Sequence, residues 1–200
     1  MSHVMSLNHS FLQSVKYMLE ELRRSFQSCP IVQRGEYNYF IHPITDGVPL
    51  VEPALLRDVA CSLFKALDLK DVNKIVVTEA MGIHIGTVLS LMTDIPYTIV
   101  RKREYKLPGE VIIGQTTGYS KGTLYLNSVF DGDRIAFIDD VISTGGTIRA
   151  LLPAIESTGA EIADLCFVIN RGSPDIGRPY KSLVTIDVDS AGVHVLDSYF

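Results

Sequence analysis

Apolar residues recur along the chain with two alternating periods. Phe11, Val15, Met18, Leu22 and Phe26 fall three and four residues apart, which predicts one amphipathic helix within the first 30 residues, stopped by Pro30. Tyr37 to His42 reads as a strand or extended segment. Pro53 then stands where a first helical residue belongs, and Leu55, Leu56, Val59, Ala60, Leu63, Phe64 and Leu67 form the apolar stripe of a second helix. From there short apolar runs alternate with helical stretches. Lys74 to Thr78, Tyr97 to Val100, Arg134 to Ile138 and Ile162 to Ile169 read as strands. A helical stretch runs through Leu91, and another carries Ile148, Leu151, Leu152 and Ile155 before Thr158-Gly159 caps it.

Strands that are apolar throughout, rather than alternating, belong to a parallel sheet covered by helices on both faces. The predicted fold class is therefore α/β, and with no repeat, low-complexity tract or linker the 200 residues are expected to form one domain, 1–200. One region breaks the rhythm. Between Arg101 and Asn127 lie Gly109, Gly114, Gly118 and Gly122, with short extended pieces such as Val111 to Ile113. An insertion of this size in a compact fold usually carries function or moves.

Composition narrows the class. With 46% hydrophobic and 20% charged residues the chain is globular rather than disordered. No apolar run reaches the ~18 residues of a spanning helix, and the first residues lack the continuous apolar stretch of a signal peptide. A cytoplasmic, membrane-free protein is expected. The net charge of −5 argues against nucleic acid as a partner. Against that background Arg101, Lys102, Arg103 and Lys106 make a local basic cluster. Cys29, Cys61 and Cys166 lie far apart in apolar patterns and read as buried core thiols. None of His3, His9, His42, His84 and His194 has metal-ligand spacing.

The densest chemistry lies at Phe137-Ile138-Asp139-Asp140-Val141-Ile142-Ser143-Thr144-Gly145-Gly146-Thr147. An apolar strand ends in two acids, and a turn of hydroxyl and glycine residues opens a helix. In a parallel sheet this junction sits at the carboxyl edge, where ligands bind. Inward backbone N–H groups and the helix N-terminus suit a phosphate, with Ser143, Thr144 and Thr147 adding hydroxyl donors. No lysine follows the glycines, so this is not a P-loop. Asp139 and Asp140 would repel a phosphate they faced; they make sense as acceptors of sugar hydroxyls, giving a cradle for ribose 5-phosphate. Taken singly, each is equally readable as a strand-end or turn residue.

This segment resembles the signature of type I phosphoribosyltransferases, enzymes that use phosphoribosyl pyrophosphate (PRPP). The resemblance implies a central parallel sheet flanked by helices, with a small base-binding hood from about 31–50 and 170–200 and a mobile loop at about 101–122. It makes Glu79-Ala80-Met81-Gly82 the pyrophosphate loop, with a cis peptide expected at Ala80–Met81, and assigns Arg101 and Lys102 to the pyrophosphate as well. Lys102 and Lys106 become catalytic cations of the mobile loop, which closes over the leaving group and excludes water. Asp139 and Asp140 are the catalytic acids, and with Ser143, Thr144, Gly145, Gly146 and Thr147 they hold the ribose and its 5′-phosphate. Mg²⁺ is implied near Asp139 and Asp140, held chiefly by substrate oxygens.

The whole chain is most similar to the archaeal hypoxanthine/guanine group, related in turn to adenine and xanthine enzymes. Phe40, Ile41 and His42 match the segment that closes over the base. Arg171 stands where the xanthine enzymes carry a lysine that contacts the 6-oxo group. A cationic donor favours 6-oxopurines over adenine, whose amino group donates instead. The segment Gly114 to Tyr119 also lacks the glutamate of the adenine enzymes. The implied partners are PRPP and a free purine, and a homodimer is expected by resemblance. The alternatives are an adenine or xanthine enzyme, a pyrimidine enzyme sharing the phosphate motif, or a PRPP- or purine-sensing regulator. A regulator of this kind carries a DNA-binding module before the domain, where this chain has one expected helix and an acidic balance.

Overall fold

The computed structural model describes residues 18–35, 37–116 and 121–200. Helices α1 (Glu20–Ser25), α2 (Pro43–Asp46), α3 (Pro53–Ala66), α4 (Gly82–Thr93) and α5 (Gly146–Glu156) surround three sheets. Strands β3 (Lys74–Thr78), β4 (Tyr97–Val100), β7 (Arg134–Ile142), β8 (Glu161–Asn170), β9 (Lys181–Val188) and β10 (Val193–Ser198) make the central sheet, in the order β10-β9-β8-β7-β3-β4. All its pairings are parallel except β9 with β10. Strands β1 (Ile31–Arg34) and β2 (Tyr37–Phe40) form an antiparallel ribbon, and β5 (Val111–Thr116) with β6 (Lys121–Leu126) a second one.

Alternation within the buried strands divides the core in two. Ile75, Val77, Ala136 and Ile138 pack with the apolar faces of α1, α3 and α4. Val76, Ile135 and Phe137 pack on the opposite face with Ile148, Leu151, Leu152 and Ile155 of α5. A strand buried on both faces has no polar positions to alternate, which is why these runs read as continuous.

Four expectations need correction. A continuous helix from Phe11 to Phe26 is not what the described part shows: Leu19 has φ 63°, outside helical space, and α1 starts only after it. Its free backbone donors are met from another element, since Asp58 of α3 accepts from the Leu19 N–H (2.7 Å) and the Leu22 N–H (3.1 Å). Phe11 and Val15 lie outside the described residues. Phe64, expected in the buried stripe of α3, is 49% exposed, while Asp58 and Ser62 are buried. Cys61 and Cys166 are buried but Cys29 only partly so. Finally β7 continues to Ile142, because β8 runs beside it that far, with Val141 opposite Ile169 and Ile142 opposite Asn170. The two acids thus lie within a paired strand rather than beyond its end.

The segments expected to form a hood part company. The β1–β2 ribbon and α2 are not hydrogen-bonded into the central sheet, although Phe40 and Ile44 pack in its core, while β9 and β10 extend the central sheet itself.

Candidate active site

The turn from β7 to α5 builds a cleft of ≈ 210 Å³ lined by Asp139, Val141, Ile142, Phe167, Ile148 and the whole run Ser143 to Thr147. Gly145 caps α5 at φ 74°, in the left-handed region that glycine enters without penalty. A Cβ there would lie 2.9 Å from Ile176 Cγ2, so shape and conformation both select glycine. Arg149 braces the turn from behind: Nη1 donates to the Thr144 carbonyl (2.8 Å), and Nε and Nη2 donate to the Asp175 carbonyl (3.0 and 2.7 Å). No acid occupies the first turn of α5, so no carboxylate of the helix itself caps its N-terminal donors.

Asp139 is 8% exposed, and its Oδ1 has no hydrogen-bond partner among the described residues. Burial pushes its carboxyl up, and burial followed by the charge of Asp139 pushes Asp140 well above the usual carboxylate range. The pair therefore resists carrying two negative charges. The nearby Lys102 charge pulls Asp139 the other way.

The loop after β3 closes against Asp139. A Cβ on Gly82 would lie 3.1 Å from Asp139 Oδ1 and 3.1 Å from Val77 Cβ. The non-proline cis peptide falls at Glu79–Ala80, one bond before the expected Ala80–Met81. Glu79 turns to the next strand: Oε1 accepts from the Lys102 N–H (2.9 Å) and Oε2 pairs with Arg101 Nε (2.9 Å). Lys106 is not brought in. Its side chain is 80% exposed and lies 3.9 Å from Glu104. The connector is held instead by Glu110, which accepts from the Tyr105 and Lys106 N–H groups and from Asn127 Nδ2.

A second cavity, ≈ 380 Å³, lies beneath the β1–β2 ribbon and is lined by Arg34, Tyr37, Tyr39, Phe40, Thr45, Val141, Ser143 and Arg171. Val141 and Ser143 belong to both cavities, which therefore adjoin. Arg171 follows directly on β8, and its backbone N–H donates to the Ile142 carbonyl (2.7 Å). Its guanidinium lies 3.9 Å from the Tyr37 ring centroid, and Nη2 donates to the Asn38 carbonyl (2.9 Å). Nη1 is buried with no hydrogen-bond partner among the described residues.

Two of the residues expected at the base face elsewhere. His42 is fully buried and caps α2, its Nδ1 accepting from the Ile44 N–H (3.1 Å) and its Nε2 lying 2.7 Å from Ser25 Oγ. Ile41 lines a different cleft, with Cys29, Pro49 and Leu55. The strand ends at Phe40 and His42 caps the helix that follows, so the chain turns away from the cavity after Phe40. Arg34, Tyr37 and Tyr39 do line it and escaped the sequence reading. Only the ribbon's register, Arg34 opposite Tyr37 and Val32 opposite Tyr39, brings them together, although aromatic residues at 37 and 39 marked one strand face.

The sequence matches the phosphoribosyl transferase domain family over residues 57–197. It is 66% identical to the hypoxanthine/guanine phosphoribosyltransferase of Methanosphaerula palustris, over 91% of this chain and 100% of that protein. Identity to the protein of the same name from Methanocorpusculum labreanum is 63%, over 92% and 100%. Among solved structures, the adenine phosphoribosyltransferase of Thermoanaerobacter pseudethanolicus aligns with TM-score 0.68 at 25% identity, covering 84% of this chain and 99% of that one. The corresponding enzyme of Rhodothermus marinus aligns with TM-score 0.66 at 25% identity, over 82% and 98%.

Proposed function

The chain belongs to the phosphoribosyltransferase family, and from that premise we propose that it works in purine salvage, transferring the 5-phosphoribosyl group of PRPP to hypoxanthine or guanine. The products are IMP or GMP and pyrophosphate. Relatives above 60% identity over nine-tenths of the chain carry that activity in their names. The observation that carries the choice of base is Arg171 Nη1, a buried donor with no partner among the described residues, on a residue that lines the cavity next to the phosphate cleft. An unpaired buried donor is costly, and a 6-oxo oxygen would satisfy it where the amino group of adenine would not.

The purine nitrogen attacks C1′ of the ribose as the bond to pyrophosphate breaks, and no side chain forms a covalent intermediate. Ser143 to Thr147 bind the 5′-phosphate, Asp139 and Asp140 accept the ribose hydroxyls, and the loop from Ala80 to Gly82 with Arg101 and Lys102 receives the pyrophosphate. Phe40, Tyr37 and Arg171 hold the base. Orientation and electrostatics supply the acceleration. Among the described residues no cluster of three or more acidic, cysteine or histidine ligands exists. The family's Mg²⁺ fits here as an ion held mainly by substrate oxygens, with the unpartnered Asp139 Oδ1 and with Asp140 at hand. Bound there, Mg²⁺ would offset charge on the departing pyrophosphate.

In the same reading residues 31–50 serve as the hood over the base, and the connector from Arg101 onward moves over the bound substrate. The protein acts in the cytoplasm as a homodimer, with no nucleic-acid or membrane partner; among the described residues no helix is long and apolar enough to cross a membrane. The test is PRPP- and Mg²⁺-dependent turnover with hypoxanthine, guanine, xanthine and adenine in parallel. Nucleotide from hypoxanthine and guanine is expected; a preference for adenine, or no turnover despite PRPP binding, would overturn the assignment.

A further inference from the structure

Glu79 is out of place in a loop expected to receive a pyrophosphate, because a carboxylate repels that ligand. Its surroundings give it another task. Strands β3 and β4 are parallel neighbours with Thr78 opposite Val100, so the residues that follow them, Glu79 and Arg101, emerge side by side at the carboxyl edge. The Glu79 N–H donates to the Val100 carbonyl (3.0 Å), fixing the backbone there. The side chain, only 17% exposed, then splits its two oxygens. Oε1 takes the Lys102 N–H, the first donor of the long connector, and Oε2 sits 2.9 Å from Arg101 Nε. That nitrogen makes no directed hydrogen bond, so the contact with Arg101 is mainly one of charge. It occupies the Nε side of the guanidinium. Neither Nη group of Arg101 has a hydrogen-bond partner among the described residues. A guanidinium paired on its Nε side keeps its outer edge as a two-donor fork, the geometry that suits a phosphate.

We propose that Glu79 is a positioning residue: it does not contact pyrophosphate but anchors the root of the connector and aims the Nη edge of Arg101 at the diphosphate of PRPP and of the product. The inference rests on the phosphoribosyltransferase reading and deepens it. The carboxylate restrains a cation that would otherwise swing freely into solvent, and it brings Lys102 to where its charge is felt by Asp139.

The position of Glu79 separates ligands that carry a diphosphate from those that do not. In Glu79→Gln the amide oxygen still accepts from the Lys102 N–H, but the charge that holds Arg101 is gone. The expected result is a KM for PRPP and an inhibition constant for pyrophosphate that both rise about fivefold or more, while the Kd of IMP or GMP stays within about twofold of wild type. In an Arg101→Ala background the same substitution should have no further effect, because there is no guanidinium left to aim. Equal weakening of nucleotide and diphosphate ligands, no change in either, or an undiminished effect in the Arg101→Ala background would each overturn the proposal. Should Glu79→Gln lack a cooperative melting transition, Glu79→Asp offers the same comparison with the charge kept but drawn back, and an intermediate rise confined to diphosphate ligands is expected. Wild-type turnover and nucleotide binding, measured alongside, separate a failure of this role from a failure of the enzymatic assignment.

Discussion

At Arg171 the stack on Tyr37 and the bond to the Asn38 carbonyl fix the guanidinium before any ligand arrives, while Nη1 is buried with no hydrogen-bond partner among the described residues. Arg171→Ala should therefore raise the KM for hypoxanthine and guanine by about 10- to 100-fold while the KM for PRPP moves by less than about twofold. Arg171→Lys should recover only part of the loss, since an ammonium neither stacks as a plane nor reaches Asn38 and the base together. Steady-state kinetics with each base checks both. The acids make a second residue-scale case, with a defined sign. Burial lifts the Asp139 carboxyl to about 6. Its ionised form is thus penalised in the folded chain, and the stability of the protonated form, complete below about pH 4, is lost as pH rises through about 6. Asp139→Asn should melt above the wild type in the ligand-free state at pH 7.5, with the difference vanishing near pH 4. Turnover should fall at least about 100-fold. Thermal melts across that pH range and an activity assay decide it. The place of Asp139 at the cleft was legible in the sequence, because it stands just before a turn of hydroxyl and glycine residues that opens a helix. His42 was misassigned, because a string of residues near a base carries no mark of which side chains turn inward.

Among the elements, the tie between the β1–β2 ribbon and α1 depends on one neutral imidazole. His42 Nδ1 accepts from the Ile44 N–H, so the ring proton sits on Nε2 and faces Ser25 Oγ, whose own proton goes to the Leu22 carbonyl (2.6 Å). Burial depresses His42 to about 4, so the cost of protonating this buried ring is absent above pH 6.5 and grows as pH falls toward 4, to about 3 kcal/mol. His42→Asn, which retains a capping oxygen, should flatten that acid slope. The slope is opposite in sign to that of Asp139 over nearly the same interval, so the two are read separately as differences from wild type. The phosphate turn yields a simpler test. Gly145→Ala must hold φ 74° and press on Ile176, so it should cost about 1–3 kcal/mol and weaken both PRPP and nucleotide binding. Urea unfolding and nucleotide titration measure the two effects. Helix α5 and its turn were readable because local chemistry dictates them. The start of α1 only after Leu19 was not, since the carboxylate that takes the Leu19 and Leu22 N–H groups belongs to Asp58, 39 residues from Leu19.

For the whole molecule, the sheet sends Thr78, Val100, Ile142 and Asn170 to one edge, so loops from four strands meet there and the two cavities adjoin. That much follows from parallel order, which continuous apolar runs already imply. Where the outer surfaces go does not follow, because a helix hydrophobic on every side reads alike whether buried in its own core or in another copy's. Helix α4 poses this question. It carries no acidic or basic group other than His84, buries Ile85 and Leu89 against the sheet, and leaves Leu91 78% exposed. An uncharged outer face on the helix that follows the pyrophosphate loop is a surface that a second copy can cover without desolvating ions. Light scattering after size exclusion should then give twice the 22.1 kDa chain mass. Leu91→Glu should give a single-chain mass while keeping a cooperative melting transition, since the side chain touches little of its own fold. A monomeric wild type would remove the homodimer from the proposed function. A dimer indifferent to Leu91→Glu would move the interface to another face and leave the apolar side of α4 to some other use.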